Sequence, residues 1–314
     1  MEPRAEGDVD APRLQQGPSP QHLLTTVLGE HLDSSEAELP SAAVVAVLGE
    51  FAISPASARA ALSRLVKRGL IGVRADGRTP RYHVAPHAIA RHRAAMHHFL
   101  AFAAVPRPWD GQWLTVAFSL PESRQPQRHA LRRTLGTCGF VRLYDSVWIR
   151  PGGDAEVVRD ELDDLLRDVP GARWSVLRAR FEDETGPGGP AAAYDLEALA
   201  GAYREFVARH DALFRDVRAG RVGPAAALVA RATLMDGWRQ FSRIDPDLPA
   251  HLLPTDWPRE EARALFLEAH TALGPLAHER LVEVMSPAWP EAARWVTHYV
   301  AADDPRDPPR RASR

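Results

Sequence analysis

Apolar positions recur along the chain with two different periods, and the helical one comes first. Leu23, Leu24, Val27, Leu28 and Leu32 fall at steps of three and four over residues 20–32 (PQHLLTTVLGEHL). Val44, Val45, Val47, Leu48 and Phe51 do the same over residues 41–51. A third stripe, Ala58, Ala61, Leu62, Leu65 and Val66, lies between Ser54-Pro55 and Gly69. The Ser54 hydroxyl can accept from free backbone N–H groups, Pro suits the first helical turn, and Gly69 marks the stop. Opposite this stripe stand Ala56, Ala60, Ser63, Arg64 and Lys67, so one face packs while the other is small and basic. Two short β-type runs follow, residues 70–74 and 81–84, joined by a connection whose Asp76-Gly77 is a hairpin signal.

Three helices and a hairpin over residues 20–86 predict a winged helix-turn-helix, with 54–69 as recognition helix, Ala52-Ile53 as the turn and the hairpin as wing. A helix enters the roughly 12 Å major groove only if its leading face is narrow and cationic arms can reach base edges and phosphates. The candidate DNA-binding residues are therefore Ser54, Ser57, Arg59, Ala60, Ser63, Arg64 and Lys67 on the helix, with Arg74, Arg78 and Arg81 on the wing. The plainer alternative is a solvated surface helix and hairpin, and the agreement of charge, cap, spacing and turn favours DNA.

Residues 1–19 hold little to bury and are expected to form a disordered lead. Residues 87–111 read as a connecting helix and linker, the helix carrying Ile89, Met96, Phe99 and Leu100 as apolar positions. His92, His97 and His98 on it lack the i, i+4 spacing that turns two imidazoles toward one metal ion, and no carboxylate lies among them. Residues 112–182 then alternate strand, helix, two strands, helix, strand. The second helix takes Val157, Leu162, Leu165 and Leu166 as its apolar positions. This βαββαβ order predicts a ferredoxin-like domain. After the Gly/Pro-rich boundary 182–191, residues 192–301 read as an all-helical domain with helices over 195–213, 223–242, 259–284 and, shorter, 290–300. Four prolines between 245 and 258 hold an extended loop there, and 302–314 is a charged tail. The expected fold class is thus α+β and multidomain: winged helix-turn-helix, ferredoxin-like domain, helical domain.

Charge sharpens this picture. The 314-residue chain has a formal net charge of −2, but eight Arg and Lys67 face only Asp76 between residues 54 and 93, leaving +8 there and −10 elsewhere. Cys138 is the one cysteine, which excludes an intrachain disulfide and a multi-thiolate zinc site and suits a reducing cytoplasm. No apolar run reaches the roughly 18 residues of a membrane span, and the polar, proline-containing start is unlike an export signal, so the expected location is cytoplasmic. No phosphate-binding loop, nucleophile elbow or His-Glu-x-x-His is present, and no cofactor or catalytic residue is expected. Asp160, Glu161, Asp163 and Asp164 read as a solvated helix face.

Six segments in order resemble the PaaX-type transcriptional regulators, repressors named for phenylacetic acid catabolism. They are LLTTVLGE from Leu23, the SxRxALSRLVxRG helix from Ser57, WDGQW from Trp109, LRRTLGTCGFVRLYDSVWIRP from Leu131, YDLEALAGAYREF from Tyr194, and LMDGWRQFSRIDPDLPAHLLPTDWP from Leu234. The resemblance implies a cytoplasmic homodimer, not an enzyme, that binds double-stranded operator DNA and is released by a small effector such as phenylacetyl-CoA or another acyl-CoA. Trp238, Arg239 and Trp257 beside the proline-rich loop are the candidate ligand-binding residues, offering aromatic walls and one cation. The family often carries an acid where this chain has Gly237 and aliphatic residues at Phe241 and Ser242, which implies a different ligand. Two alternatives stand beside this reading. A scaffold protein with a retired helix-turn-helix is one. The other is a metal-dependent nuclease, because the ferredoxin-like domain also resembles the nucleases of CRISPR adaptation. That chemistry needs a carboxylate at the end of the first strand, where this chain has Ala117-Phe118-Ser119-Leu120.

Overall fold

The computed structural model describes residues 19–76, 79–104, 109–186, 188–302 and 307–312. The expected lead up to residue 18 and the wing residue Arg78 lie outside the described residues. The chain opens with α1 (Pro20–His31), β1 (Leu39–Pro40), α2 (Ser41–Gly49), α3 (Pro55–Lys67), the hairpin β2 (Ile71–Asp76) and β3 (Thr79–Val84), and α4 (Pro86–Ala101). It continues through β4 (Trp113–Ser119), α5 (Gln125–Thr137), β5 (Val141–Tyr144), β6 (Val147–Pro151), α6 (Ala155–Leu166) and β7 (Arg173–Ala179). Long helices α7 (Leu196–Arg218), α8 (Pro224–Ile244) and α9 (Arg259–Met285) follow, then α10 (Ala292–Trp295), β8 (His298–Val300) and β9 (Arg310–Ala312). Side-chain caps set several starts: Ser19 accepts from the His22 N–H and Asp154 from the Glu156 N–H.

The chain divides into two compact units. One holds Met1–Leu100, Arg215–Asp236 and Ala269–Arg314, and the other Ala101–Phe214 and Gly237–Glu268. Helices α7, α8 and α9, which are 23, 21 and 27 residues long, are each divided between the two units.

In the first unit α1, α2 and α3 bury the stripes read from the sequence, including Leu24, Val44, Leu48, Ala58, Leu62 and Leu65. Their core is completed by Leu228 and Ala232 of α8, Ala277, Leu281 and Met285 of α9, and Trp289 beyond it. The short strand β1 adds to the hairpin, giving an antiparallel sheet of order β1-β3-β2. His92 of α4 packs against α1 at Gly29, where a Cβ would stand 2.0 Å from the imidazole, so only glycine admits the ring. Residues 298–300, expected to be helical, instead form β8 and pair antiparallel with β9 from the expected tail. The β-branched and aromatic run Val296-Thr297-His298-Tyr299-Val300 favours that extended form. Arg311 on β9 lies 3.8 Å over the Tyr299 ring and donates to the Gly29 carbonyl.

In the second unit the antiparallel sheet has order β5-β6-β4-β7. Leu114, Val116 and Phe118 of β4 face Leu131 and Leu135 of α5 and Val158, Leu162 and Leu166 of α6. Val157, read as a core position, is 57% exposed; Val158, four residues before Leu162, takes its place. The opposite face of the sheet carries Trp113 and Ile149 against Leu248 and Leu252 of the proline-rich loop. Among the described residues no helix is long and apolar enough to cross a membrane.

Candidate nucleic-acid interface and ligand cleft

Ser54 caps α3 by accepting from the Ser57 N–H, and its hydroxyl donates to the Ser57 Oγ at 3.0 Å. Ser54, Ser57, Arg59, Ala60, Ser63, Arg64 and Lys67 are all exposed, whereas Ala58, Ala61, Leu62 and Leu65 between them are buried. The exposed face carries no carboxylate, and Arg68 extends its positive charge at the C-terminal end, where the helix dipole favours cations. The hairpin then places Arg74 directly across from Arg81, so both belong to one face of the sheet. Arg74 is 60% exposed and pairs with Glu38, while Arg81 is half-buried. A surface ion pair of this kind contributes on the order of 0–1 kcal/mol, so Arg74 can exchange Glu38 for a phosphate at little cost.

The second unit contains a cleft of about 850 Å³ framed by the proline-rich loop and the first turns of α9. Trp109 stacks on His251 with ring centroids 5.4 Å apart, and Trp257 closes another wall. The Trp257 indole N–H is buried with no hydrogen-bond partner among the described residues. Arg263 reaches the cleft and donates from Nε to the Phe102 carbonyl, and burial lowers its pKa from the usual value. Asp245 fixes the loop from below: it accepts from the Tyr203 hydroxyl at 2.6 Å and from the Asp247 N–H at 2.7 Å. Burial, together with that carboxylate, pushes the Tyr203 phenol upward, so it stays a donor. Arg259 bonds Asp247 at 2.9 Å and is thereby neutralised.

The three ligand-binding candidates part company here. Trp257 lines the cleft, but Trp238 does not. Trp238 is fully buried, stacked on Phe266 at 4.7 Å with Tyr203, Phe206 and Phe241 around it, an aromatic core position. Arg239 is half-buried on α8 and does not line the cleft either. The departures at 237 and 241 serve the same core: a Cβ at Gly237 would stand 3.2 Å from the Phe206 ring, and Phe241 stacks on Tyr203 at 4.0 Å. They tune aromatic packing and do not face the cleft. Sequence reading missed Trp109, His251 and Arg263; Trp109 stood in the WDGQW segment as a marker only, and nothing in the spacing joined it to residue 251. Among the described residues no group of three or more His, Cys, Asp or Glu side chains is placed to hold a metal ion.

Comparison with known families matches all three stretches. Residues 19–88 match the family described as PaaX-like protein, residues 106–186 the PaaX protein central Cas2-like domain, and residues 194–283 the PaaX-like protein C-terminal domain. Among curated proteins, the Transcriptional repressor PaaX of Escherichia coli (strain K12) is 25% identical over 268 residues, which cover 81% of this chain and 80% of the relative. The solved structure of uncharacterized protein Rv0674 from Mycobacterium tuberculosis is 24% identical and shares the fold, with a TM-score of 0.55 over 85% of this chain and 98% of that one. With all three of the family's segments present in order, the chain belongs to the PaaX-like protein family.

Proposed function

We propose that this protein is a sequence-specific DNA-binding transcriptional repressor whose winged helix-turn-helix spans residues 20–86. The observation that carries the reading is α3, which is capped by Ser54, small and basic on its exposed face, and followed at once by a hairpin that sets Arg74 opposite Arg81. The repressor name of the Escherichia coli relative supports it. The order β5-β6-β4-β7 with α5 and α6 on one face supports a ferredoxin-like central domain. At the end of β4 stand Ala117, Phe118 and Ser119, so the nuclease reading lacks the carboxylate its metal would need.

In this reading the protein acts as a cytoplasmic homodimer, and paired α3 helices enter successive major grooves of an imperfect palindrome with half-sites about 10 base pairs, or a multiple, apart. Arg64 and Lys67 reach bases or phosphates, Ser57 and Arg59 the flank, and Arg74, Arg78 and Arg81 the backbone or minor groove. A small effector such as an acyl-CoA thioester occupies the cleft at Trp257, Trp109 and Arg263, and releases DNA because it binds the DNA-incompetent arrangement more tightly. The test is a fluorescence titration against DNA from upstream of its own gene at two salt concentrations, with and without phenylacetyl-CoA and other thioesters. Specific binding that weakens with salt and is reversed by one thioester is expected. Absence of any preferred sequence overturns the repressor reading, and binding that no thioester reverses overturns the effector class.

A further inference from the structure

The DNA-reading helix hangs on a short, tightly bonded link. Between the end of α2 and Pro55 the chain turns within five residues, with the Glu50 N–H bonded to the Val47 carbonyl, Ala52 to Gly49 and Ile53 to Leu48. Ala52 is held in the left-handed region at φ 56°, and Ser54 caps α3 directly afterwards. Whatever fixes the end of α2 therefore fixes the direction of α3.

That end is gripped from far along the chain. The Glu50 carboxylate accepts two hydrogen bonds from Arg280 of α9, Nε to Oε2 at 2.8 Å and Nη2 to Oε1 at 2.9 Å. A third donor of the same guanidinium, Nη1, bonds Glu283 at 2.8 Å. The Arg280 and Glu50 side chains are 25% and 17% exposed, drier than a surface pair such as Arg74–Glu38. Beside the fork Val44, Val47 and Leu48 of α2 share a core with Ala277, Leu281 and Met285. An apolar contact alone lets one helix slide or roll on another, whereas a planar two-bond fork fixes both distance and rotation. The position of Glu50 points the same way. It stands at the C-terminal end of α2, where the helix dipole disfavours a carboxylate, so local helix stability does not account for it.

We propose that the Glu50–Arg280 fork is a positioning device that sets the angle of α3 for DNA, so that α9 takes part in sequence discrimination without touching DNA. The proposal rests on the DNA-binding reading above. Neither residue is a DNA contact; each acts through α3.

The experiment uses the full chain, a duplex selected by the protein from a random library, and a scrambled duplex of the same length. Affinity for both is measured by fluorescence anisotropy at two salt concentrations, beside a thermal melt. Glu50→Gln and Arg280→Gln should each lower the preference for the selected duplex about tenfold and leave scrambled-duplex affinity and its salt slope unchanged, because the phosphate contacts remain. The exchange E50R with R280E should recover part of the preference. Should either Gln variant fail to fold, Arg280→Lys carries the test, since it keeps the charge but cannot form the fork, and the same loss is expected. An unchanged preference, with or without a lower melting temperature, overturns the proposal, as does an equal loss on both duplexes. If the unaltered protein selects no sequence, the DNA-binding reading itself is what fails.

Discussion

Arg231 of α8 and Glu30 of α1 meet at 3.0 Å where their side chains are 0% and 2% exposed. Each guanidinium nitrogen donates, Nε to Glu30 and the other two to the His270 and Tyr299 carbonyls. Removing one partner of a buried pair leaves the other charge without compensation, which costs about 3–5 kcal/mol, whereas replacing both by apolar residues is often near neutral. Arg231→Met and Glu30→Leu should therefore each destabilise by about 3–5 kcal/mol, and the double variant by less than either. Urea denaturation measures this. Single-variant losses below about 1 kcal/mol would show that the pair does not hold α1 to α8.

Stability should fall on acidification from below neutrality, for reasons centred on the same pair. Burial lowers the pKa of His31 to about 3 and of His270 and His298 to about 4, from an ordinary 6.5. Arg231 adds to the lowering in each case. Between pH 6.5 and about 4 the unfolded chain binds protons that the folded chain refuses, so stability is full above 6.5 and is lost as the pH falls. Burial is the largest influence on Glu30 and resists its ionisation, but Arg231, the hydrogen bond with His270 and the charge of His270 and His31 together outweigh it, and its carboxyl sits well below the usual range. Below about 4.5 it adds a loss of the same sign. Three protons taken up on unfolding set a ceiling of about 4 kcal/mol per pH unit. Melting temperatures at pH 7, 6 and 5 should drop progressively, and a flat profile would contradict neutral buried imidazoles.

Arg64 and Lys67 share the exposed face of α3 and should behave differently from an ordinary surface pair. If Arg64 reads a guanine edge, Arg64→Ala costs about 1–3 kcal/mol on the preferred duplex and relaxes sequence preference there. Lys67→Ala is expected to weaken all sequences about equally and to reduce the salt slope by about one. A uniform loss for Arg64→Ala assigns it to phosphate instead, and no loss for either removes α3 from the interface.

The face of α3 was legible in the sequence because its two signals are local: a Ser-Pro start and a three-to-four spacing need no partner to be read. So was the stripe Leu23, Leu24, Val27 and Leu28 on α1. What could not be read there is that Glu30 and His31 are buried too, since their cover is Arg231 and His270, about 200 residues or more away. The same limit applies to Glu50, an unremarked acid until Arg280 is beside it. Strand β8 escaped because its pairing partner, Arg310–Ala312, lies in a stretch whose composition reads as tail. Trp238 and Trp257 looked alike in sequence, both in one proline-rich neighbourhood, and only packing separates them.

That separation can be tested directly. Trp238 is enclosed by Phe266, Tyr203, Phe206 and Phe241, so Trp238→Ala should destabilise by about 3–5 kcal/mol through lost burial and the cavity left behind. Trp257 faces the cleft with a half-buried ring and a donor that lacks a partner among the described residues, so Trp257→Phe should leave stability within about 1 kcal/mol. If the effector seats in the cleft, the effect of this change falls on its binding, because an acceptor on the ligand loses the indole N–H that would meet it. Phenylacetyl-CoA titrated against intrinsic fluorescence in the unaltered protein, Trp257→Phe and Arg263→Gln reports on the aromatic wall and on the cation of the cleft. Weaker binding in both variants at unchanged melting temperature fits a ligand seated there. A thioester that binds both variants as tightly as the unaltered protein binds elsewhere, and the cleft then is not the effector site.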